Sequence, residues 1–204
     1  MEEEFQKKES KKEKIFNWLK QPLNLSLFIV LLFAFLVRLY FFINVGEQPL
    51  WWDEASYGSL ARNYISHAWD GTQLIVGETL IRPPLFPFLW ALLMRINVSE
   101  IVVRFLFEFL PSILSVFFVY LIGRDFYSKK AGIITAFIFS VFWIHLFYTL
   151  RLLTDIPTLA FALASIYFFS KSIRGEFNPK YFGISLFLLS LSTLTRYTNG
   201  LIFF

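Results

Sequence analysis

Residues 23–43 read LNLSLFIVLLFAFLVRLYFFI, and this stretch decides the class of the fold. A helix needs roughly 20 predominantly apolar residues to cross a bilayer, and only Arg38 carries a charge here. A signal peptide fits poorly, because the block is about twice as long as an h-region and lacks a small-residue cleavage site. The stretch therefore predicts a transmembrane helix near the N-terminus.

The composition of the whole chain agrees with a membrane protein. Of 204 residues, 56% are hydrophobic and 27 are Phe, and the mean hydropathy is +0.57. A soluble domain of this size has too little interior for that much apolar surface. The absence of cysteine excludes disulfides, zinc–thiolate sites and thiol nucleophiles. The net charge is +4, but the basic residues flank the apolar blocks and do not form a single stripe. This arrangement favours membrane topology over nucleic-acid binding.

Further apolar blocks predict additional spans. These blocks are residues 99–122, 131–150, 156–170 and 181–204. The apolar stretch 83–96 is too short to cross, at about 14 residues, and predicts a re-entrant or interfacial helix that begins at a Pro pair. The predicted fold class is an all-α integral membrane protein with about five transmembrane helices, plus amphipathic juxtamembrane helices in the first outer loop.

Lysine and arginine placement predicts the orientation. Basic residues concentrate in the tail 1–20 and in the connections 123–130 and 171–180. Five spans place all three on the cytoplasmic side if the tail is cytoplasmic. The loop 44–98 and the turn 151–155 then face outward. The predicted location is a plasma or ER-type membrane, with the site on the extracytoplasmic face.

The outer loop contains a predicted surface helix over residues 53–69. Tyr57, Leu60, Ala61 and Tyr64 form an apolar stripe at helical spacing. The tryptophans that flank this helix are expected at headgroup depth, and an aromatic belt is the favoured interpretation of them. They are Trp51, Trp52 and Trp69.

Ionisable residues near membrane depth are costly, and they mark candidate sites. The candidates are Asp53, Glu54, Arg82, Arg104, Glu108, His145, Arg151, Asp155 and Arg196, and the predicted topology places most of them near the outer face. Structural explanations stay open beside the functional ones. Asp53 and Asp155 are each equally well explained as helix caps. Arg104 and Glu108, four residues apart, are expected to pair on one helix face, and His145 is expected to be a satisfied polar group inside the bundle.

Several short motifs occur in a characteristic order. They are WDEASYGSLARN at 52–63, RPPLFP at 82–87, Val103-Arg104 followed by Pro111-Ser112, YLIGR at 120–124, Asp155-Ile156-Pro157 and Thr195-Arg196-Tyr197. Together they resemble the GT-C glycosyltransferases, closest to the protein O-mannosyltransferase and aminoarabinose transferase group. Arg stands at 82 and 196 where that group commonly has Lys, which keeps the charge and changes its geometry. The chain is also much shorter than those enzymes, so residues 21–204 are interpreted as a catalytic transmembrane module that is either truncated at its C-terminus or a core module of the family.

The resemblance implies transfer of a sugar from a polyprenyl (dolichyl-type) phosphate donor to an outward-facing protein, lipid or glycan acceptor. Asp53 would be the catalytic base, with Glu54 orienting it or sharing the acceptor hydrogen bond. Arg82 would bind the donor phosphate together with Arg151 and Arg196. Asp155 and Tyr57 complete the donor-binding set. A single displacement assisted by one base predicts inversion of the configuration at the anomeric carbon. The reaction needs no nucleotide and no cofactor, and no nucleic-acid partner is expected. A divalent metal ion is compatible with the two adjacent acids but is not required.

Two alternatives come from other classes. A transporter or flippase of lipid-linked sugars would place polar residues near the bilayer midplane, whereas the charges here concentrate at one face. A non-catalytic membrane scaffold would use Asp53 and Asp155 only as caps.

Overall fold

The computed structural model describes residues 17–45, 48–67 and 82–202, and its regular elements are helical. The helices are α1 (Pro22–Val45), α2 (Asp53–His67), α3 (Leu85–Arg95), α4 (Glu100–Arg104), α5 (Leu110–Phe126), α6 (Lys129–Ser140), α7 (Trp143–Tyr148), α8 (Asp155–Ser172) and α9 (Pro179–Thr195). A π-helical turn, Phe105–Phe109, joins α4 to α5, and a 3-10 turn, Tyr197–Leu201, follows α9. Trp69, most of the predicted tail and the last two residues of the predicted fifth span lie outside the described residues. The all-α prediction is confirmed for the part that is described.

Within those ranges, two helices are long and apolar enough to cross a membrane: Pro22–Asn44, and the continuous run Glu100–Phe126 through the π turn. They correspond to the first two predicted spans. Large apolar side chains on α1, such as Ile29 and Leu36, are more than half exposed. Lipid is the solvent that suits such a surface.

The predicted third span, 131–150, is not one helix. Helix α6 ends at Ser140, Phe142 is extended with ψ 110°, and α7 begins at Trp143. The cause lies in another helix, because the buried guanidinium of Arg38 in α1 donates to the Ser140 carbonyl over 3.1 Å. The Ser140 carbonyl, at the C-terminal end of α6, therefore accepts a hydrogen bond from a side chain of another helix. The prediction of one continuous helix over 131–150 was wrong, and the crossing of the membrane by this stretch stays a prediction.

Helices α8 and α9 form an antiparallel hairpin joined through hydroxyl groups. The Ser165 and Ser185 hydroxyls each donate to the other residue's carbonyl over 2.9 Å. Thr158 and Ser192 make the same reciprocal exchange at 3.0 and 2.9 Å. Small polar residues allow this close packing in lipid, where neighbouring helices gain little from the hydrophobic effect. Because α8 and α9 fall short in hydropathy or length, five spans stays a prediction.

The surface helix α2 packs on α3, which confirms that both stretches are helical. The shared cluster contains Tyr57 and Ala61 from α2 and Phe86 and Trp90 from α3, each less than a tenth exposed. Leu152, from the turn before α8, is fully buried in the same cluster. The apolar stripe of α2 is therefore directed to protein, and it fixes the N-terminal end of α2 beside the turn 150–154.

Candidate functional site

Asp53 and Glu54 open α2 side by side in sequence and meet opposite surroundings. The Asp53 side chain is 65% exposed, whereas that of Glu54 is 1% exposed. Adjacent helical residues point about 100° apart, and here that rotation takes one carboxylate out to the surface and the other into the protein. The two acids therefore have different surroundings, one solvated and one enclosed by protein.

Glu54 is held on both of its oxygens by protein donors. Its Oε1 accepts from the Leu152 backbone N–H at 2.6 Å and from Arg104 Nη1 at 3.2 Å. Its Oε2 accepts from the Trp51 backbone N–H at 3.0 Å and from Arg151 Nη1 at 3.4 Å. One carboxylate thus ties the start of α2 to α4 and to the turn before α8. The catalytic part expected of Glu54 stays a prediction.

Arg104 is the buried cation of this network, with a side chain only 3% exposed. It donates to Glu100 Oε1 at 2.7 Å and to the carbonyls of Leu150 and Gln48 at 3.1 and 3.2 Å. The expected pairing with Glu108 is wrong, because Arg104 turns toward Glu54 and Glu100. Glu108 lies in the π turn, which breaks the regular four-residue register, and within the described residues neither of its carboxylate oxygens has a hydrogen-bond partner.

Asp53 pairs with Arg82, the residue that opens the approach to α3. Arg82 Nη2 donates to Asp53 Oδ1 at 2.8 Å, and the guanidinium lies 4.7 Å from the centre of the Tyr57 ring. Burial disfavours the charge of Arg82, but the hydrogen bond and the negative charge of Asp53 outweigh it, so the pKa of Arg82 lies above its usual value. The contact shown for the Asp53 side chain is thus the ion pair with Arg82, and not the predicted capping hydrogen bond at the start of α2.

Arg151, in the turn before α8, contacts Glu54. Its guanidinium lies 4.9 Å from the centre of the Trp51 ring, and its side chain is 19% exposed. Arg151 and Asp53 both line a pocket of about 150 Å³, whose remaining wall is largely aromatic. The other lining residues are Trp51, Trp52, Glu54, Phe147, Tyr148 and Leu153. Asp53 and Arg151 thus share one pocket, and Arg82 is joined to that pocket through its ion pair with Asp53.

Asp155 and Arg196 form a second ion pair, between the first residue of α8 and the residue after α9. The two side chains are 30% and 45% exposed, and Thr154, not Asp155, is the N-cap residue of α8. No contact described for this pair joins it to the pocket at Asp53. Asp53–Arg82 and Asp155–Arg196 are therefore two separate ion pairs among the described residues.

A buried polar network that the sequence did not reveal lies deeper in the bundle. Arg38 donates from Nε to the Ser112 hydroxyl at 2.5 Å, and its Nη2 lies 3.0 Å from His145 Nδ1. Thr149 donates to the same Ser112 hydroxyl at 2.9 Å. The expectation of a satisfied histidine is thus met only in part: Nδ1 of His145 has a partner, whereas its buried Nε2 has none within the described residues. These contacts hold α1, α5 and α7 together.

Metal-ligating side chains do not gather in groups of three or more in residues 17–45, 48–67 and 82–202. The cations of the site are instead arginines, each already held by a carboxylate. This donor set suits an anionic ligand that competes for the guanidinium groups.

The sequence model of the dolichyl-phosphate-mannose-protein mannosyltransferase family matches residues 81–204, more than half of the chain. The chain belongs to this family. It is a family of integral membrane glycosyltransferases of the GT-C class that depend on lipid-phosphate sugars, which confirms the resemblance inferred from the motifs and assigns the chain to membrane proteins. No curated protein and no solved structure matched the chain.

The matched region covers part of the candidate site. Arg82, Arg104, Arg151, Asp155 and Arg196 lie within residues 81–204, whereas Asp53 and Glu54 precede it. The roles of all these residues stay predictions. The structure adds that Arg82 contacts Asp53 and that Arg151 contacts Glu54, so both acids lie against the matched region.

Proposed function

We propose that this protein transfers a sugar from a polyprenyl (dolichyl-type) phosphate to a hydroxyl acceptor, with Asp53 as the base and Arg82 as the main phosphate ligand. The observation that carries the proposal is the Asp53–Arg82 ion pair beside the pocket that Arg151 lines. A base and a phosphate-binding cation are the two groups that such a transfer requires, and here they lie in contact.

The chemistry follows from these two groups. Asp53 accepts the proton of the acceptor hydroxyl as the oxygen attacks the anomeric carbon. The new C–O bond forms on the face opposite the phosphate, and the old bond breaks with both electrons passing to the phosphate oxygen. The configuration at the anomeric carbon is inverted. Arg82 and Arg151 stabilise the leaving phosphate, whose charge grows during the step.

Glu54 acts in this proposal as a positioning residue. Its hydrogen bonds fix Arg151 and the backbone of Trp51 and Leu152, and these residues form or adjoin the pocket. Pre-organised donors of this kind contribute most when they need not move during the reaction. Asp155 and Arg196 belong to a second part of the donor site in this proposal, next to the surface helices through the contact of α9 with α3.

The pairing of Asp53 with Arg82 has a further consequence for this proposal. A donor phosphate must draw Arg82 away from Asp53, because the guanidinium cannot satisfy both at full strength. Donor binding would then release the base at the moment it is needed. We further propose that residues 21–204 form the catalytic module, with five spans and with loop 44–98 on the extracytoplasmic face.

Donor binding and transfer by an Arg82→Ala variant test the proposal. The protein in lipid would be given a radiolabelled dolichyl-phosphate mannose and a mixture of acceptor peptides and glycans. We expect a transfer rate lower by about 10²–10³, as for the loss of one charge-stabilising donor, together with weakened donor binding. The matched control is Arg62→Ala, which removes an exposed arginine of α2 whose contact is Ser59 at 3.3 Å.

Each outcome of that experiment separates the function classes. Loss of binding and transfer in Arg82→Ala alone supports the transferase. Wild-type binding without transfer to any acceptor would indicate a carrier of lipid-linked sugars. Wild-type protein that binds no donor would leave only a scaffold.

A further inference from the structure

The two ends of the helix bundle differ in charge. The continuous run Glu100–Phe126 has 27 residues and is about 40 Å long at 1.5 Å per residue, so its two ends face opposite sides of the bundle. Near Phe126, seven Lys or Arg side chains in residues 17–21, 124–130 and 171–180 meet two acids, Asp125 and Glu176. Toward the Glu100 end, the described residues include six basic side chains and five acidic ones. We call the first the basic end.

A single carboxylate is surrounded by cations at the basic end. Asp125 accepts from Arg124 Nε at 2.6 Å, and Arg174 Nη1 and Lys171 Nζ lie 3.4 and 4.0 Å from its other oxygen. The Asp125 side chain is 10% exposed, whereas those of the three cations are 35–40% exposed. One negative charge is therefore set against three positive ones, and the excess faces outward.

Aromatic rings lie beside these cations at the end of the bundle. Arg174 lies 5.0 Å from the ring centre of Phe126, and Lys171 lies 5.5 Å from that of Tyr167. Phe126, Tyr127 and Phe177 are more than half exposed beside them. Exposed aromatic side chains next to Lys and Arg at the end of a membrane-length helix are typical of the headgroup layer.

We propose that the basic end binds the phosphate headgroup of an anionic phospholipid, between the ends of α5 and α8. Arg124 and Arg174 supply planar donors for the phosphate oxygens, Lys171 adds a charge, and the exposed rings contact the upper acyl chains. Exposed Lys130 and Lys180 extend the positive surface to neighbouring headgroups. This inference is independent of the proposed transferase reaction, because it concerns the opposite end of the molecule.

The test compares phospholipids that differ in headgroup charge. The full chain in neutral detergent would be given phosphatidylglycerol or phosphatidylcholine, with lipid retention measured by native mass spectrometry and the midpoint of thermal unfolding measured in parallel. We expect phosphatidylglycerol to be retained preferentially and to raise the midpoint. Retention should fall about fivefold for each cation removed, the factor that corresponds to the usual attraction per basic residue at an anionic surface.

Three variants make the test decisive. Lys171→Gln with Arg174→Gln removes two cations from the Asp125 cluster, and Lys130→Gln with Lys180→Gln removes two exposed ones if the first pair impairs folding. Arg62→Gln removes an exposed cation at the other end and should leave lipid retention unchanged. Equal retention of the two lipids, or an equal loss in Arg62→Gln, would overturn the proposal. Inorganic phosphate that reproduces the whole stabilising effect would also overturn it, because the site would then take a soluble anion.

Discussion

Glu54 and Asp53 carry the same charge but differ in what their removal should cost. Glu54 is buried and neutralises Arg104, which is itself buried, whereas the ion pair of Asp53 is exposed on the acid side. Breaking a buried pair leaves an uncompensated charge in a medium that solvates it poorly. An exposed pair is screened by water and contributes little.

Substitution of these two acids should therefore separate stability from activity. We expect Glu54→Ala to lower the free energy of unfolding by about 3–5 kcal/mol and Asp53→Ala to lower it by no more than about 1 kcal/mol. Thermal unfolding of both variants in the same detergent measures the difference. Equal losses would show that Glu54 does not hold the site together as the contacts indicate.

The sequence was enough to single out Asp53 and Glu54 as candidate acids, but it did not predict that one would be exposed and the other buried. Asp53 and Glu54 stand out because they open an amphipathic stretch beside a transmembrane helix. The burial of Glu54 depends on the Leu152 N–H and on Arg104, which are 98 and 50 residues away along the chain. A local pattern contains no information about partners at that separation.

The helices, too, were predictable from sequence only where local features determine them. Periodicity and apolar length predicted α1, α2 and α3 to within a few residues, because those features are local. The break between α6 and α7 was missed because its partner, Arg38, lies 102 residues before Ser140. The π turn was missed as well, since nothing in the local sequence distinguishes it from an α-helical turn.

Packing between α5 and α6 gives a prediction that belongs to these elements. A Cβ atom added to Gly132 would lie 2.6 Å from the Tyr120 carbonyl oxygen and 2.7 Å from the Arg124 backbone nitrogen. Both are backbone atoms that cannot rotate away, so Gly132→Ala must push the helices apart. We expect a lower midpoint of thermal unfolding for this variant.

Gly183 in α9 provides the matched control. A Cβ atom there meets nothing within 4 Å, and Ala is favoured over Gly in a helix by about 0.5–1 kcal/mol. Gly183→Ala should therefore raise the unfolding midpoint slightly. The packing account fails if Gly132→Ala is tolerated as well as Gly183→Ala.

Across the whole molecule, the candidate site and the basic end lie at opposite ends of the membrane-length helices. The family match assigns the chain to a family of membrane glycosyltransferases, and the charge difference between the two ends agrees with the proposed site on the extracytoplasmic face. The absence of cysteine makes this orientation easy to measure, because single cysteines can be added to a silent background.

Two exposed positions test the orientation directly. Ser59 lies on α2 near the site, and Tyr127 at the basic end is 86% exposed. In sealed vesicles of right-side-out cell membrane, Ser59→Cys should react with a membrane-impermeant maleimide from outside. Tyr127→Cys should react only after permeabilisation. Labelling of both from the same side would contradict the proposed topology.

The proposed reaction depends above all on Asp53 as the base, and single-turnover transfer by an Asp53→Asn variant with saturating donor measures that role. The amide keeps the size and a hydrogen bond to the acceptor but cannot take the proton, and it leaves Arg82 free of its ion pair. We expect the variant to transfer sugar more slowly than the wild type by a factor of about 10²–10⁴. Its affinity for the donor should equal or exceed that of the wild type. A variant that transfers sugar at the wild-type rate, or that loses donor binding along with transfer, would contradict it.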